Sequence, residues 1–126
     1  MQLIINNYLI TTPILDIIKQ LKQELITQGL NYFKEIHPKG EYIRITCPFH
    51  KDGQEDNPSC SIYSSYDNDE VEPGFCHCFT CNTSLPLYKM IAYLFDKDEE
   101  WGKQWIIDRF GNTLVEKQLD LESIVS

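Results

Sequence analysis

Cys47-Pro48-Phe49-His50 and Cys78-Phe79-Thr80-Cys81 are the two stretches on which the reading of this chain turns. Each carries two metal-binding side chains with two residues between them, the spacing at which a tight turn aims both at one ion. Together they offer three thiolates and an imidazole. Four such ligands fill a tetrahedral sphere, which marks a structural zinc site; a catalytic one keeps a position open for water. Three Cys and one His at these spacings suit zinc better than an iron–sulfur cluster. The expected cofactor is therefore one structural Zn2+, held by Cys47, His50, Cys78 and Cys81. Cys76 and His77 lie close enough to compete as ligands. They rank lower, because Cys76 alternates with Cys78 along an expected strand, whereas a Cys-x-x-Cys turn presents both sulfurs together. Cys60, beside Ser61 and Ile62 on another expected strand, reads as a core residue.

Composition agrees with a metal-stapled domain. All five cysteines fall between Cys47 and Cys81, and an odd count with a histidine in ligand spacing argues for metal over disulfides in a cytoplasmic chain. A length of 126 residues suits a small metal-stabilised domain with flanking helices. With 42% hydrophobic and 12% aromatic residues the chain is not disordered as a whole. No apolar run approaches the roughly 20 residues of a membrane helix. Met1-Gln2-Leu3-Ile4-Ile5 lacks the basic start and small-residue cleavage site of a secretory signal. A cytoplasmic location without a membrane partner is expected. The 11 basic and 19 acidic residues give a formal net charge of −8. That charge excludes a tight, nonspecific binder of nucleic acid, whose affinity rests on Lys and Arg.

Outward from the ligand pairs, the pattern predicts a helix, a small antiparallel sheet and further helices, an α+β fold. Thr12 reads as an N-cap with Pro13 at the first helical position, and Ile14, Ile17, Ile18, Leu21 and Leu25 recur at helical spacing up to Thr27. Gly29 stops this helix. Residues 30–36 and 41–46 read as a hairpin turning at His37-Pro38-Lys39-Gly40 and delivering Cys47 at its end. Residues 60–64 and 74–79 read as a second strand pair, joined by an acidic turn-rich segment. Ser84 is a candidate cap for a helix carrying Leu87, Met90, Ile91 and Leu94, and Asp98 starts another with Trp101, Trp105 and Phe110, ending at Gly111. Residues 116–126 read as a short helix or linker. The organisation is a helical segment over 1–29, a ribbon over 30–96, and a C-terminal helix with linker over 97–126.

The order of motifs, with Cys47-Pro48-Phe49-His50, then Asn57-Pro58-Ser59 leading into a strand, then His77-Cys78-Phe79-Thr80-Cys81 and an amphipathic helix, resembles the N-terminal zinc-binding domain of bacterial and phage DNA primases. The likeness covers about residues 30–95. Cys60 stands where that family commonly has Phe, and Asn82 where it commonly has Gly. The resemblance implies a zinc ribbon that recognises a short single-stranded DNA template for primer synthesis in replication. It also implies partners: the primase polymerase domain or subunit and the replicative helicase of a primosome, in a bacterial cell or a phage-infected host. The candidate template surface is Arg44, Lys51, Tyr63, His77 and Phe79.

No catalytic residue is expected within the chain itself. Asp67, Asp69 and Glu70 read as a solvated turn rather than a magnesium site, so primer synthesis belongs to a polymerase domain not found in this sequence. A zinc hydrolase or deaminase would need an open coordination position and a Glu beside a ligand, and His50 is followed by Lys51-Asp52. The alternative is a zinc-stabilised protein-interaction module that has lost DNA binding. It is favoured by the five basic and nine acidic residues over 30–95 and by Trp101 or Trp105 as a partner surface.

Overall fold

The computed structural model describes residues 2–30, 32–33, 35–49 and 58–113. The chain runs β1 (Leu3–Ile5), β2 (Tyr8–Ile10), α1 (Ile14–Thr27), β3 (Ile36–Lys39), β4 (Tyr42–Ile45), β5 (Cys60–Tyr63), β6 (Cys76–Cys78), β7 (Thr83–Leu85), α2 (Leu87–Leu94), α3 (Glu99–Phe110) and β8 (Gly111–Thr113). The strands form two antiparallel sheets, one ordered β1-β2-β8 and one a five-stranded meander β3-β4-β5-β6-β7. The fold is a small α+β fold, as the pattern predicts.

The meander has two unlike faces because side chains alternate across a strand. Ile43 and Ile45 of β4, Cys60 and Ile62 of β5, and Cys76 and Cys78 of β6 point inward and are buried. They join one core cluster with Ile14, Ile17, Ile18, Leu21 and Leu25 of α1, Leu87, Met90, Ile91 and Leu94 of α2, and Trp105, Ile106 and Ile107 of α3. His37, Arg44, Ser61, His77 and Ser84 lie in one row across all five strands on the other face.

Local chemistry explains most boundaries. Asn6 and Asn7, at φ of 50° and 68°, make the two-residue turn of the β1–β2 hairpin, a conformation Asn tolerates better than most residues. At the end of α1, Gly29 sits at φ 78° and donates from its N–H to Ile26 O, while Leu30 N–H reaches Leu25 O. This is the paired closure a left-handed residue permits. Asp98 caps α3 as expected, its Oδ1 accepting from Trp101 N at 2.8 Å.

Four expectations shift. Pro13 is itself the cap position of α1, which begins at Ile14. The first strand of the ribbon is Ile36–Lys39, turning at Gly40-Glu41, because Pro38 is accommodated on the edge strand where no ladder N–H is needed. Ser84 lies in β7, and α2 starts only after Pro86. The ends of the described chain meet in the three-stranded sheet, where β8 pairs with β2. Residues 116–126 lie outside the described residues.

Helix α3 is tied to α1 through Glu24 and packs against α2. Glu24 of α1 accepts from Arg109 Nε and Nη2 at 2.6 and 2.7 Å and from Trp105 Nε1 at 3.0 Å, while the Arg109 guanidinium lies 4.4 Å from the Trp105 ring centre. Trp105 is thus buried and engaged, and Trp101 is half-buried against Phe95. Trp105 is a core group, because α3 folds back onto α1 and α2, and of the two rings named for a partner surface Trp101 is the one left partly exposed. Gly102 faces α2 so closely that a Cβ would overlap the Tyr88 carbonyl oxygen.

Gly102→Ala should therefore force α2 and α3 apart, costing about 1–3 kcal/mol and lowering the melting temperature by several degrees in a thermal scan. A second test uses pH. Burial works against the Glu24 carboxylate, but hydrogen bonds from Arg109, Gln20 and Trp105 prevail and hold it below its ordinary value. Stability from a depressed carboxyl is present above its unfolded value and lost as pH falls through its folded value. Glu24→Gln should cost about 1 kcal/mol at neutral pH, and the gap to the parent protein should close on acidification below about pH 4.

Candidate metal centre

The sheet register brings the thiols together. Ile45 pairs with Cys60, and Cys60 pairs with Cys78, so one row of the ladder ends the β4 strand and carries Cys78. Cys47 follows Ile45 by two residues and reaches the same side. The turn from Phe79 to Asn82 then returns the chain to Thr83, opposite Cys78, and sets Cys81 over the end of the sheet. Asn82 takes φ 55° in that turn, the left-handed conformation that suits Gly or Asn.

Among the described residues, the sulfurs of Cys47, Cys78 and Cys81 lie within 4.8 Å of one another. Cys47 Sγ and Cys81 Sγ are 3.8 Å apart. A tetrahedral ion with metal–sulfur bonds of about 2.3 Å has sulfur–sulfur edges of about 3.8 Å, so this group of three fits one face of such a sphere and could hold a metal ion. His50 and Lys51 lie outside the described residues.

Polar groups around the sulfurs are set to stabilise thiolates. Phe49 N–H points at Cys47 Sγ at 3.4 Å, and Cys81 N–H at Cys78 Sγ at 3.5 Å. Ser59 Oγ lies 3.4 Å from Cys78 Sγ, and Thr83 Oγ1 lies 3.2 Å from Cys81 Sγ. Such outer groups orient ligands and tune their basicity. Ser59 gives the Pro58-Ser59 step a physical role that sequence reading did not assign; its backbone carbonyl also accepts from Phe79 N–H at 3.0 Å. Phe49 packs on Tyr93 of α2 with ring centres 5.0 Å apart, fixing the segment after Cys47 against the helix.

The acidities of the thiols differ. Burial raises the Cys78 thiol, but the Cys81 N–H, the Ser59 hydroxyl and the neighbouring thiols outweigh it and bring it down to about 7. Cys47 is pushed well up by its hydrogen bond with Cys60, by burial and by Cys78. Cys81 is raised by burial and by Cys78 and Cys47, against the Thr83 hydroxyl.

The proposed template residues separate. Arg44, His77 and Phe79 share the outer face: Phe79 is 64% exposed, its ring is 4.8 Å from that of His77, and the Arg44 guanidinium lies 6.0 Å from its centre. His77 Nδ1 is 2.6 Å from Ser84 Oγ. Tyr63 is on this face but only 2% exposed, with Tyr42 edge-on at 5.2 Å and its hydroxyl donating to Glu41 Oε2 at 3.3 Å. Its ring is a packing group, and the exposed tyrosine of the pair is Tyr42.

A metal must displace the protons of Cys47 and Cys81 at neutral pH, and that of Cys78 as well below about 7. Each displaced proton weakens binding about tenfold per unit fall in pH. In a competition titration with a chromophoric chelator, the apparent Zn2+ affinity should fall about a hundredfold from pH 8 to pH 7 and more steeply below. A nearly flat profile would contradict ligation by these thiols.

Compared with protein-family models, curated proteins and solved structures, the chain matches none.

Proposed function

We propose that this chain is a zinc ribbon of the DNA-primase type, which reads single-stranded template DNA beside a primase polymerase domain or subunit. In this reading Zn2+ takes Cys47, Cys78 and Cys81 as ligands and His50 as the fourth. A fourth ligand closes the sphere, so the ion is structural and the chain contributes recognition rather than primer synthesis. The reading is supported by the ligand pairs, by the three converging thiols and by the outer sheet face next to them.

The observation that carries it is the exposed Phe79 ring, flanked by Arg44 and His77, on the turn that also supplies Cys81. An unpaired base stacks on Phe79, Arg44 neutralises a phosphate, and His77 offers a ring nitrogen to a base edge. Stacking supplies about 1–3 kcal/mol per base. Two or three bases then give weak binding, in keeping with the net charge of −8, and tight engagement requires the polymerase partner to hold the same strand. The replicative helicase is a further partner in this reading, which places the work in the cytoplasm of a bacterial or phage-infected cell. The net charge, with the acidic balance over residues 30–95, also favours a ribbon devoted to protein contacts instead.

Fluorescence anisotropy of the zinc-loaded protein with short single-stranded DNAs of varied sequence separates the two. The expected result is saturable, sequence-dependent binding that weakens with salt. Phe79→Ala should lower affinity about fivefold or more while retaining zinc. Absence of binding at low salt, or a Phe79→Ala variant that binds like the parent, would leave the protein-contact reading.

A further inference from the structure

Two of the five cysteines remain outside the group of three: they touch each other, and Cys60 also hydrogen-bonds Cys47. Cys60 Sγ and Cys76 Sγ are 2.8 Å apart, and both side chains are fully buried. In the β5–β6 register Cys60 pairs with Cys78 and Ile62 with Cys76, so the two cysteines are diagonal neighbours on the inner face. The separation decides what they can do. It is about 1 Å shorter than the sulfur–sulfur edge of about 3.8 Å that a tetrahedral ion requires, and the pair is not in the group of three that could hold one. It is within a small movement of the disulfide length of about 2.05 Å.

We infer that Cys60 and Cys76 are a second sulfur site with a separate chemistry: a dithiol that hydrogen peroxide converts to a disulfide linking β5 to β6 while the metal ligands stay reduced. In the first step one sulfur takes an oxygen from the peroxide. The O–O bond breaks, an S–O bond forms, and the thiol proton leaves in water. In the second step the other sulfur attacks the sulfenic acid, the S–S bond forms, the S–O bond breaks and a second water carries off the remaining proton. The two sulfurs lose two electrons and peroxide gains them.

Selectivity follows from placement. A metal ion held by Cys47, Cys78 and Cys81 would engage their electron pairs, including that of Cys47, the other neighbour of Cys60, whereas a sulfenic acid on Cys60 or Cys76 meets its partner thiol at contact distance, where intramolecular capture outruns competing reactions. Burial makes the first step slow, because peroxide must enter through local opening of the sheet near its β7 edge. The disulfide would staple the two strands whose outward pair is Ser61 and His77. This inference does not depend on DNA binding.

The test is peroxide titration of the zinc-loaded full chain, followed by alkylation in denaturant, intact mass and peptide mapping, with bound zinc measured in parallel. The expected product has lost two hydrogens, about 2 Da, retains its zinc, and shows three alkylatable thiols in place of five, with the new link mapping to Cys60 and Cys76. Cys60→Ala and Cys76→Ala should each keep one zinc and fail to form the link. Because the map is made on the parent protein, it decides the matter even if a variant fails to fold. Zinc loss with Cys60 and Cys76 still alkylatable, a first link involving Cys47, Cys78 or Cys81, or no link at all would overturn the inference.

Discussion

The register of β5 against β6 is the constraint on which the molecule depends. With Cys60 opposite Cys78, the inner face collects sulfur and aliphatic side chains, and the outer face collects Arg44, Ser61 and His77. A slip of one residue would turn every one of these over, because side chains alternate with period two. It would bury His77 and expose Cys76 and Cys78. The register is defended on both sides: inward by the core that α1, α2 and α3 complete, outward by Tyr42 and Glu41 closing over Tyr63. Because β6, its turn and β7 are short, a metal bound by Cys47, Cys78 and Cys81 would join the end of β4 to that turn where few ladder hydrogen bonds do so.

The same parity separates the sulfur chemistry from the recognition surface. Phe79 directly follows Cys78, and Thr80 lies between it and Cys81. A ligand turn thus presents an aromatic ring to solvent as a by-product of aiming two thiols at an ion. On the proposed reading, template recognition uses that by-product, and its modest strength follows from one stacking ring and few cations on an acidic chain.

How much of this could be read from sequence depended on the range of the interaction. The Cys78 and Cys81 spacing, the α1 stripe and the Asp98 cap rest on residues within a few positions of one another, and local spacing reveals them. Of the five three-residue strands among the described residues, β1, β2, β7 and β8 show no alternation in the sequence; they exist because of partners elsewhere, although Asn6-Asn7 was a legible turn signal for the first pair. The outward direction of Tyr63 followed from alternation, but its burial depends on Tyr42 and Glu41 across the sheet. Trp105 read as an available ring because nothing near it in sequence announces Glu24, 81 residues earlier. The contact between Cys60 and Cys76 likewise exists only through the β5–β6 register.

X-ray absorption at the zinc edge of the loaded chain counts sulfur and nitrogen neighbours directly. Three sulfurs at about 2.3 Å and one nitrogen at about 2.0–2.1 Å are predicted; four sulfurs, or a shell of oxygen and nitrogen, would contradict the proposed assignment of Cys47, Cys78, Cys81 and His50 as the ligands.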